Sequence, residues 1–166
     1  MSKITDKVLV EMKNGETFTI ELYPQYAPKT VANFQKLVSE GFYNGLTFHR
    51  VIDDFMAQGG CPKGNGTGGS GENIPGEFIQ NGFADNTLSH TRGVVSMARA
   101  MNPDSASSQF FICYTDVPFL DGQYAAFGKV IDGMETVDNF LNTKRLGPEG
   151  GTPVSPIIIQ RMSFTD

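Results

Sequence analysis

The chain has no tryptophan, and cysteine and histidine occur only twice each. Cys61 and Cys113 cannot build a disulfide framework and match no metal-ligand spacing, so both are expected as free thiols in a reducing cytoplasm. His49 and His90 lie far apart, and neither belongs to an H-E-x-x-H run. A catalytic zinc commonly takes three protein ligands, so no metal centre is expected. Charge is also scarce, at 19% of residues against a usual ~25%. The net charge of −5 argues against a strongly basic face, and nucleic acid is not an expected partner. No run approaches the ~18 apolar residues of a membrane span. The stretch Met1–Lys7 lacks the apolar core of a secretory signal. Neither G-x-x-x-x-G-K-S/T nor G-x-S-x-G occurs, which leaves phosphoryl transfer and serine hydrolysis without support.

Phenylalanine and glycine are plentiful, with 13 and 19 copies in a chain of 166 residues that is 39% hydrophobic. That length suits one domain, taken here as 1–166, with enough apolar material for a sizeable core. Val8, Val10 and Met12 alternate, Asn14-Gly15 supplies a turn, and Phe18, Ile20 and Leu22 alternate again, which predicts a β-hairpin. Pro28 opens a helical stretch with Val31, Phe34, Leu37 and Val38 on one face, and Gly41 closes it. Strands are expected at Phe48–Ile52 and Phe55–Gln58, with Asp53-Asp54 as a solvated turn between them. Further strands are expected at Val94–Ala98, Phe110–Cys113, Ala125–Val130 and Pro156–Met162. A second short helix is expected through Met134, Val137, Phe140 and Leu141. Many short strands and two helices argue against a doubly wound sheet and for a closed β-barrel with helices covering its ends.

The span from Gly59 to Gly76 reads as loop, because glycine is entropically costly in regular structure. Within it, Gly66-Thr67-Gly68-Gly69-Ser70-Gly71 formally matches G-x-G-x-x-G. A dinucleotide site would have to close a strand and open a helix, and Pro75-Gly76 prevents the helix. Ser105, Ser107 and Ser108 read as a hydrogen-bonded turn rather than as nucleophiles. On a regular strand Phe48, Arg50 and Ile52 would share one face and His49 and Val51 the other. Arg50 would then sit among apolar neighbours, a costly place for a guanidinium without a partner.

The runs Phe48-His49-Arg50-Val51, Phe55-Met56-Ala57-Gln58-Gly59-Gly60 and Gly66-Thr67-Gly68-Gly69 resemble those of cyclophilin-type peptidyl-prolyl cis-trans isomerases. So do Ser96-Met97-Ala98-Arg99-Ala100, Ser108-Gln109-Phe110-Phe111-Ile112, Phe119-Leu120-Asp121-Gly122 and Phe127-Gly128-Lys129-Val130. The resemblance runs from about Val8 to Met162 with these motifs in order. It implies a mainly β fold, a closed eight-stranded antiparallel barrel capped by two α-helices, with the active site on its outer surface.

Carried over position by position, the resemblance makes Arg50 the catalytic arginine. Phe55, Met56, Phe111 and Leu120 form the pocket for a proline ring, and Gln58 and Gln109 lie near the substrate backbone. Ala98, Arg99 and Ala100 form the edge along which a peptide lies, while His49 and Tyr124 border the site and Phe119 flanks it. No cofactor is implied. The implied partners are proline-containing peptides and unfolded or folding proteins, served by a monomer in the cytoplasm. A catalytically weak proline-peptide binding module is the rival reading, and retention of Arg50 speaks against it. Some positions depart from the family pattern. Phe119 replaces the tryptophan of relatives that bind cyclosporin A most tightly, Tyr124 replaces histidine, Arg99 replaces asparagine, Cys61 replaces an acidic residue, and Asp53-Asp54 replaces Pro-Gly. Cyclosporin A is therefore expected to bind with reduced affinity.

Overall fold

The Asn14-Gly15 turn joins β1 (Lys7–Met12) to β2 (Thr17–Leu22), and every second residue of both strands is buried. The computed structural model describes residues 3–147 and 149–166. Helix α1 (Pro28–Ser39) has proline in its first turn and buries Val31, Phe34, Leu37 and Val38. Beyond it, Gly41 adopts the left-handed φ of +72° that glycine tolerates without strain. The strands β3 (Phe48–Ile52), β4 (Met56–Gly59), β5 (Val94–Met97), β6 (Phe110–Cys113), β7 (Ala126–Asp132) and β10 (Ile159–Thr165) complete an eight-stranded antiparallel sheet with β1 and β2. Its order is β10-β1-β2-β7-β5-β6-β4-β3. The short strands β8 (Arg145–Leu146) and β9 (Thr152–Pro153) pair separately. The fold is thus mainly β with two α-helices. Near the sheet's two outer strands, Thr47 and Ile158 form an antiparallel bridge. Beside it, Phe48 N–H donates to Ile157 O at 3.0 Å and Ile159 N–H to Leu46 O at 2.8 Å.

The helix expected through Leu141 is cut short. Helix α2 covers Met134–Asp138, and a tighter 3₁₀ turn takes over at Asn139–Asn142, although Val137 and Phe140 are both buried as the spacing required. The span after Gly59 carries no helix or strand as far as Phe78.

Strand β3 corrects the sequence reading. Phe48 pairs with Gly59 and Arg50 with Gln58, so His49 is an extra residue opposite that step, a β-bulge. A bulge breaks the period of two. Phe48 and Val51 therefore enter the main core, while His49, Arg50 and Ile52 stay partly exposed. Arg50 does not share a face with Phe48; the bulge separates them. Asp53 and Asp54 form the exposed turn expected between β3 and β4, and Asp53 also accepts a hydrogen bond from Arg145 Nη2 at 3.0 Å.

The sheet interior is filled. Phe110 meets Phe34, Phe48 and Tyr43 edge-on, at centroid distances of 5.7, 5.7 and 5.5 Å, the arrangement that aromatic quadrupoles favour. Strand β6 is buried on both faces. Phe110 and Ile112 point into this core, and Phe111 and Cys113 point into a second apolar cluster with Met56, Val94, Val117, Leu120 and Ala126. Ile52, Phe55, Ala98 and Tyr124 pack on that second cluster. A site there has a rigid apolar floor on the outside of the sheet.

Candidate active site

A cleft of about 560 Å³ opens over the second cluster, lined by His49, Arg50, Phe55, Met56, Gln58, Ala98, Arg99, Phe111, Leu120 and Tyr124, together with Gly64, Asn65, Gly66, Glu149, Gly151 and Thr152. Ala100 and Gln109 line an adjoining cleft that shares Gln58, Gly66, Ala98 and Arg99 with the first. Phe119 lies outside both linings, 65% exposed, and its ring stacks on Phe55 at 6.1 Å. The residues singled out from sequence thus gather on one face, although they come from β3, β4, β6 and three loops. Glu149, Gly151 and Thr152 were not foreseen. Nothing in the local pattern of Gly147–Thr152 marks them, since only the packing of that loop against β3 brings them to the cleft.

A chain of polar contacts crosses the cleft wall. Arg50 Nε donates to Glu149 Oε2 at 2.8 Å, and its Nη1 donates to Gln58 Oε1 at 3.1 Å. Gln58 Nε2 donates in turn to Gln109 Oε1 at 2.9 Å. Gln109 Nε2 is anchored on Gly68 O at 2.8 Å and Gly66 O at 3.0 Å. The Gly-rich loop therefore serves as an anchor for side-chain amides. Among the described residues, Arg50 Nη2 has no hydrogen-bond partner, and the guanidinium carbon lies 5.9 Å from the Phe55 ring centre. A cation is thereby held, with donor capacity in reserve, at the edge of an apolar pocket.

Arg99 is used differently. Its guanidinium lies 4.8 Å from the ring centres of both Phe78 and Tyr124. Its nitrogens donate to the carbonyls of Gln123, Ala100 and Met101. The side chain braces the Ala98–Met101 edge against the loop carrying Phe119 and Tyr124. Tyr124 meets Phe111 edge-on at 5.9 Å.

His49 sits where the bulge places it, its Nδ1 buried without a hydrogen-bond partner. Burial, and then the neighbouring Arg50 charge, hold its imidazole below the ordinary value. Both cysteines are unpaired and buried. Burial pushes the Cys113 thiol up to about 12. At Cys61 burial acts in the same direction, but backbone N–H groups of Gly68, Asn65, Lys63 and Gly66 outweigh it and lower the thiol's pKa. Such a nest of amides suits a partial negative charge.

One constellation imitates a hydrolase. His90 is within hydrogen-bond reach of Asp121 Oδ1 through Nδ1, at 2.8 Å, and of Ser96 Oγ through Nε2, at 2.9 Å. Ser96 is fully buried, so its hydroxyl faces no substrate and the array serves packing; His90 stacks on Phe111 at 6.0 Å. Ser108 and Ser105 are held in the structure by hydrogen bonds as well. Ser108 Oγ donates to Gly60 O at 2.7 Å in the interior, and Ser105 Oγ donates to Asn102 O at 2.6 Å. Among the described residues no group of three or more His, Cys, Asp or Glu side chains could hold a metal ion.

Comparison with known proteins decides the family. Residues 7–164 match the family model of the cyclophilin type peptidyl-prolyl cis-trans isomerase/CLD. The chain belongs to that family. This cyclophilin is 49% identical over 131 residues to peptidyl-prolyl cis-trans isomerase B of Bacillus subtilis, covering 79% of this chain and 87% of the relative. It is 48% identical over 127 residues to the peptidyl-prolyl cis-trans isomerase of Helicobacter pylori strain 26695, covering 75% and 74% of the two chains. A Cryptosporidium parvum cyclophilin-type isomerase, crystallised in the presence of the dipeptide Ala-Pro, superposes with a TM-score of 0.84 at 34% identity, covering 96% of this chain and 99% of that one. The cyclophilin AquaCyp293 of Hirschia baltica gives 0.77 at 27% identity, covering 98% and 74%. As a member of the family, this cyclophilin is a peptidyl-prolyl cis-trans isomerase.

Proposed function

We propose that the cleft over Met56, Phe111 and Leu120 receives the proline ring of an X-Pro segment and that Arg50 is the catalytic residue. The observation that carries this reading is the placement of Arg50, whose guanidinium is held on two sides at the edge of an apolar pocket with Nη2 unengaged. Phe55 closes the pocket laterally, Phe119 and Tyr124 flank it, and His49 lies beside Arg50. Gln58 and Gln109 face the substrate backbone, and Ala98, Arg99 and Ala100 supply an edge for the residues before proline. The Ala-Pro dipeptide present with the Cryptosporidium relative agrees in chemical class.

Amide resonance gives X–Pro rotation a barrier of ~18–20 kcal/mol. At the twisted state that resonance is lost, and the nitrogen becomes pyramidal and localises its lone pair. Arg50 donates to the prolyl carbonyl and, as the bond twists, stabilises the lone pair. A fixed donor that fits the twisted state better than either planar one lowers the barrier by differential binding. Aromatic and thioether walls hold the ring without competing donors. About 7 kcal/mol of such stabilisation corresponds to roughly 10⁵-fold acceleration. The test is isomerisation of a short X-Pro peptide by Arg50→Ala beside the parent protein. A fall in kcat/KM of two or more orders with unchanged unfolding supports the reading, and unchanged turnover sinks it.

The same reading takes the protein as a monomeric, single-domain folding assistant acting on proline-containing and unfolded chains in the cytoplasm, where two unpaired cysteines are at home. It takes the sheet as a closed barrel, supported by the hydrogen bonds between residues 46–48 and 157–159. Cyclosporin A binds with reduced affinity because Phe119 has no N–H to offer.

A further inference from the structure

We propose that Glu149 is a positioning residue for Arg50, fixing the orientation of the guanidinium while taking no part in the rotation itself. The inference rests on the reading of Arg50 as the catalytic group. Arg50 Nε donates to Glu149 Oε2 at 2.8 Å, and Gln58 takes Nη1 from another side. With Nε and Nη1 both engaged, the planar group has one orientation, and Nη2 is left for the cleft. A single anchor at Gln58 would allow the guanidinium to pivot about that contact.

The position of Glu149 is built into the fold. Its loop connects β8 and β9, and both ends of the loop clasp Val51, the residue next to Arg50. Val51 N–H donates to Gly151 O at 2.8 Å, and Arg145 Nη1 donates to Val51 O at 2.8 Å. A Cβ at Gly151 would come within 3.2 Å of Val51 O and displace the end of the Ile52 side chain, so glycine there suits the close approach of the loop to β3. The carboxylate is thus carried by a loop hydrogen-bonded to the strand that carries the guanidinium it holds. Both side chains are partly exposed, at 37% for Arg50 and 57% for Glu149. An ion pair of that kind contributes little to global stability. Its effect falls on geometry, where displacement of a catalytic group by ~1 Å can cost a factor of about 10².

The test compares the parent protein with Glu149→Ala, Glu149→Gln, Arg50→Ala and the double variant, measuring kcat and KM on a short X-Pro peptide and thermal unfolding. The NMR signal of the Arg50 Nε–H reports its hydrogen bond directly. Glu149→Ala is expected to lower kcat roughly tenfold with KM within about twofold, to leave Tm nearly unchanged and to expose the Arg50 Nε–H to exchange. Glu149→Gln keeps an acceptor oxygen and is expected to recover much of the loss. In the Arg50→Ala background, Glu149→Ala is expected to cost nothing further. Parent-like kinetics for Glu149→Ala beside an impaired Arg50→Ala would overturn the positioning role alone, as would an equal loss with and without Arg50. Full turnover by Arg50→Ala would overturn both readings.

Discussion

Glu77 caps helix α1 from a distant part of the chain: its Oε1 accepts hydrogen bonds from Thr30 N–H at 2.6 Å and Thr30 Oγ1 at 2.7 Å. Its Oε2 accepts from Lys29 N–H at 3.2 Å. The residue before the helix, Ala27, has no side chain able to cap it. A buried carboxylate therefore satisfies donors that a local Ser or Asp would ordinarily serve, and it lies where the helix dipole favours negative charge. Glu77→Ala is expected to cost about 2 kcal/mol of stability, read as a lower urea midpoint. The folded fraction should keep its isomerase activity, because no residue of α1 lines the cleft. A midpoint equal to that of the parent would contradict the capping role.

Asp54 has a left-handed φ of +57°, the one non-glycine residue with positive φ among the described residues. Aspartate tolerates that region and a β-branched residue does not. Asp54→Gly should leave stability within about 0.5 kcal/mol of the parent, whereas Asp54→Val should lose about 1–2 kcal/mol. Equal unfolding midpoints for the two variants would show that the turn carries no strain.

The two histidines give the protein an acid sensitivity of definite sign. His49 and His90 both have native pKa values below 6.5. At His49 the causes are burial and then the Arg50 charge; at His90 burial outweighs the opposing pull of Asp121. As pH falls through about 6.5 the unfolded chain takes up protons that the native state refuses, so stability drops. Above that value these groups contribute no slope. The urea midpoint should therefore be lower at pH 5.5 than at pH 7.5, and His49→Gln should reduce the difference. A midpoint that rises on acidification would exclude this linkage.

Phe119 offers a gain-of-binding test. Phe119→Trp restores an N–H donor at an exposed rim position, and one hydrogen bond of ~1 kcal/mol with added contact should tighten cyclosporin A binding by about tenfold. Peptide isomerisation should change less than twofold. Titration of both forms with the inhibitor checks this, and low-nanomolar inhibition of the parent protein would remove the premise.

Much of the architecture is legible because it is local. The Asn14-Gly15 hairpin and the Pro28-to-Gly41 helix each follow from a repeat and a punctuating residue. Strand β6 is harder to read, since burial on both faces turns alternation into the continuous apolar run Phe110–Cys113. The bulge at His49 leaves no mark in a period-two pattern, so the facing of Arg50 cannot be read from its neighbours. Its partners Glu149 and Gln58 come from two different loops or strands, and Glu77 reaches α1 across 47 positions. Local spacing carries no information about such contacts. Motif resemblance marks the candidate site residues, and a loop residue such as Glu149 lies outside every one of those motifs.

The packed interior has a consequence for the shape of what can be handled. Phe34, Phe48, Phe110 and Phe127 occupy the space that other curved sheets keep for a ligand, so the working face is turned outward. A polypeptide can be laid across that face sideways at any point along its length. On the proposed function no free end has to be threaded, so the loop of a folded protein is a candidate substrate beside a short fragment.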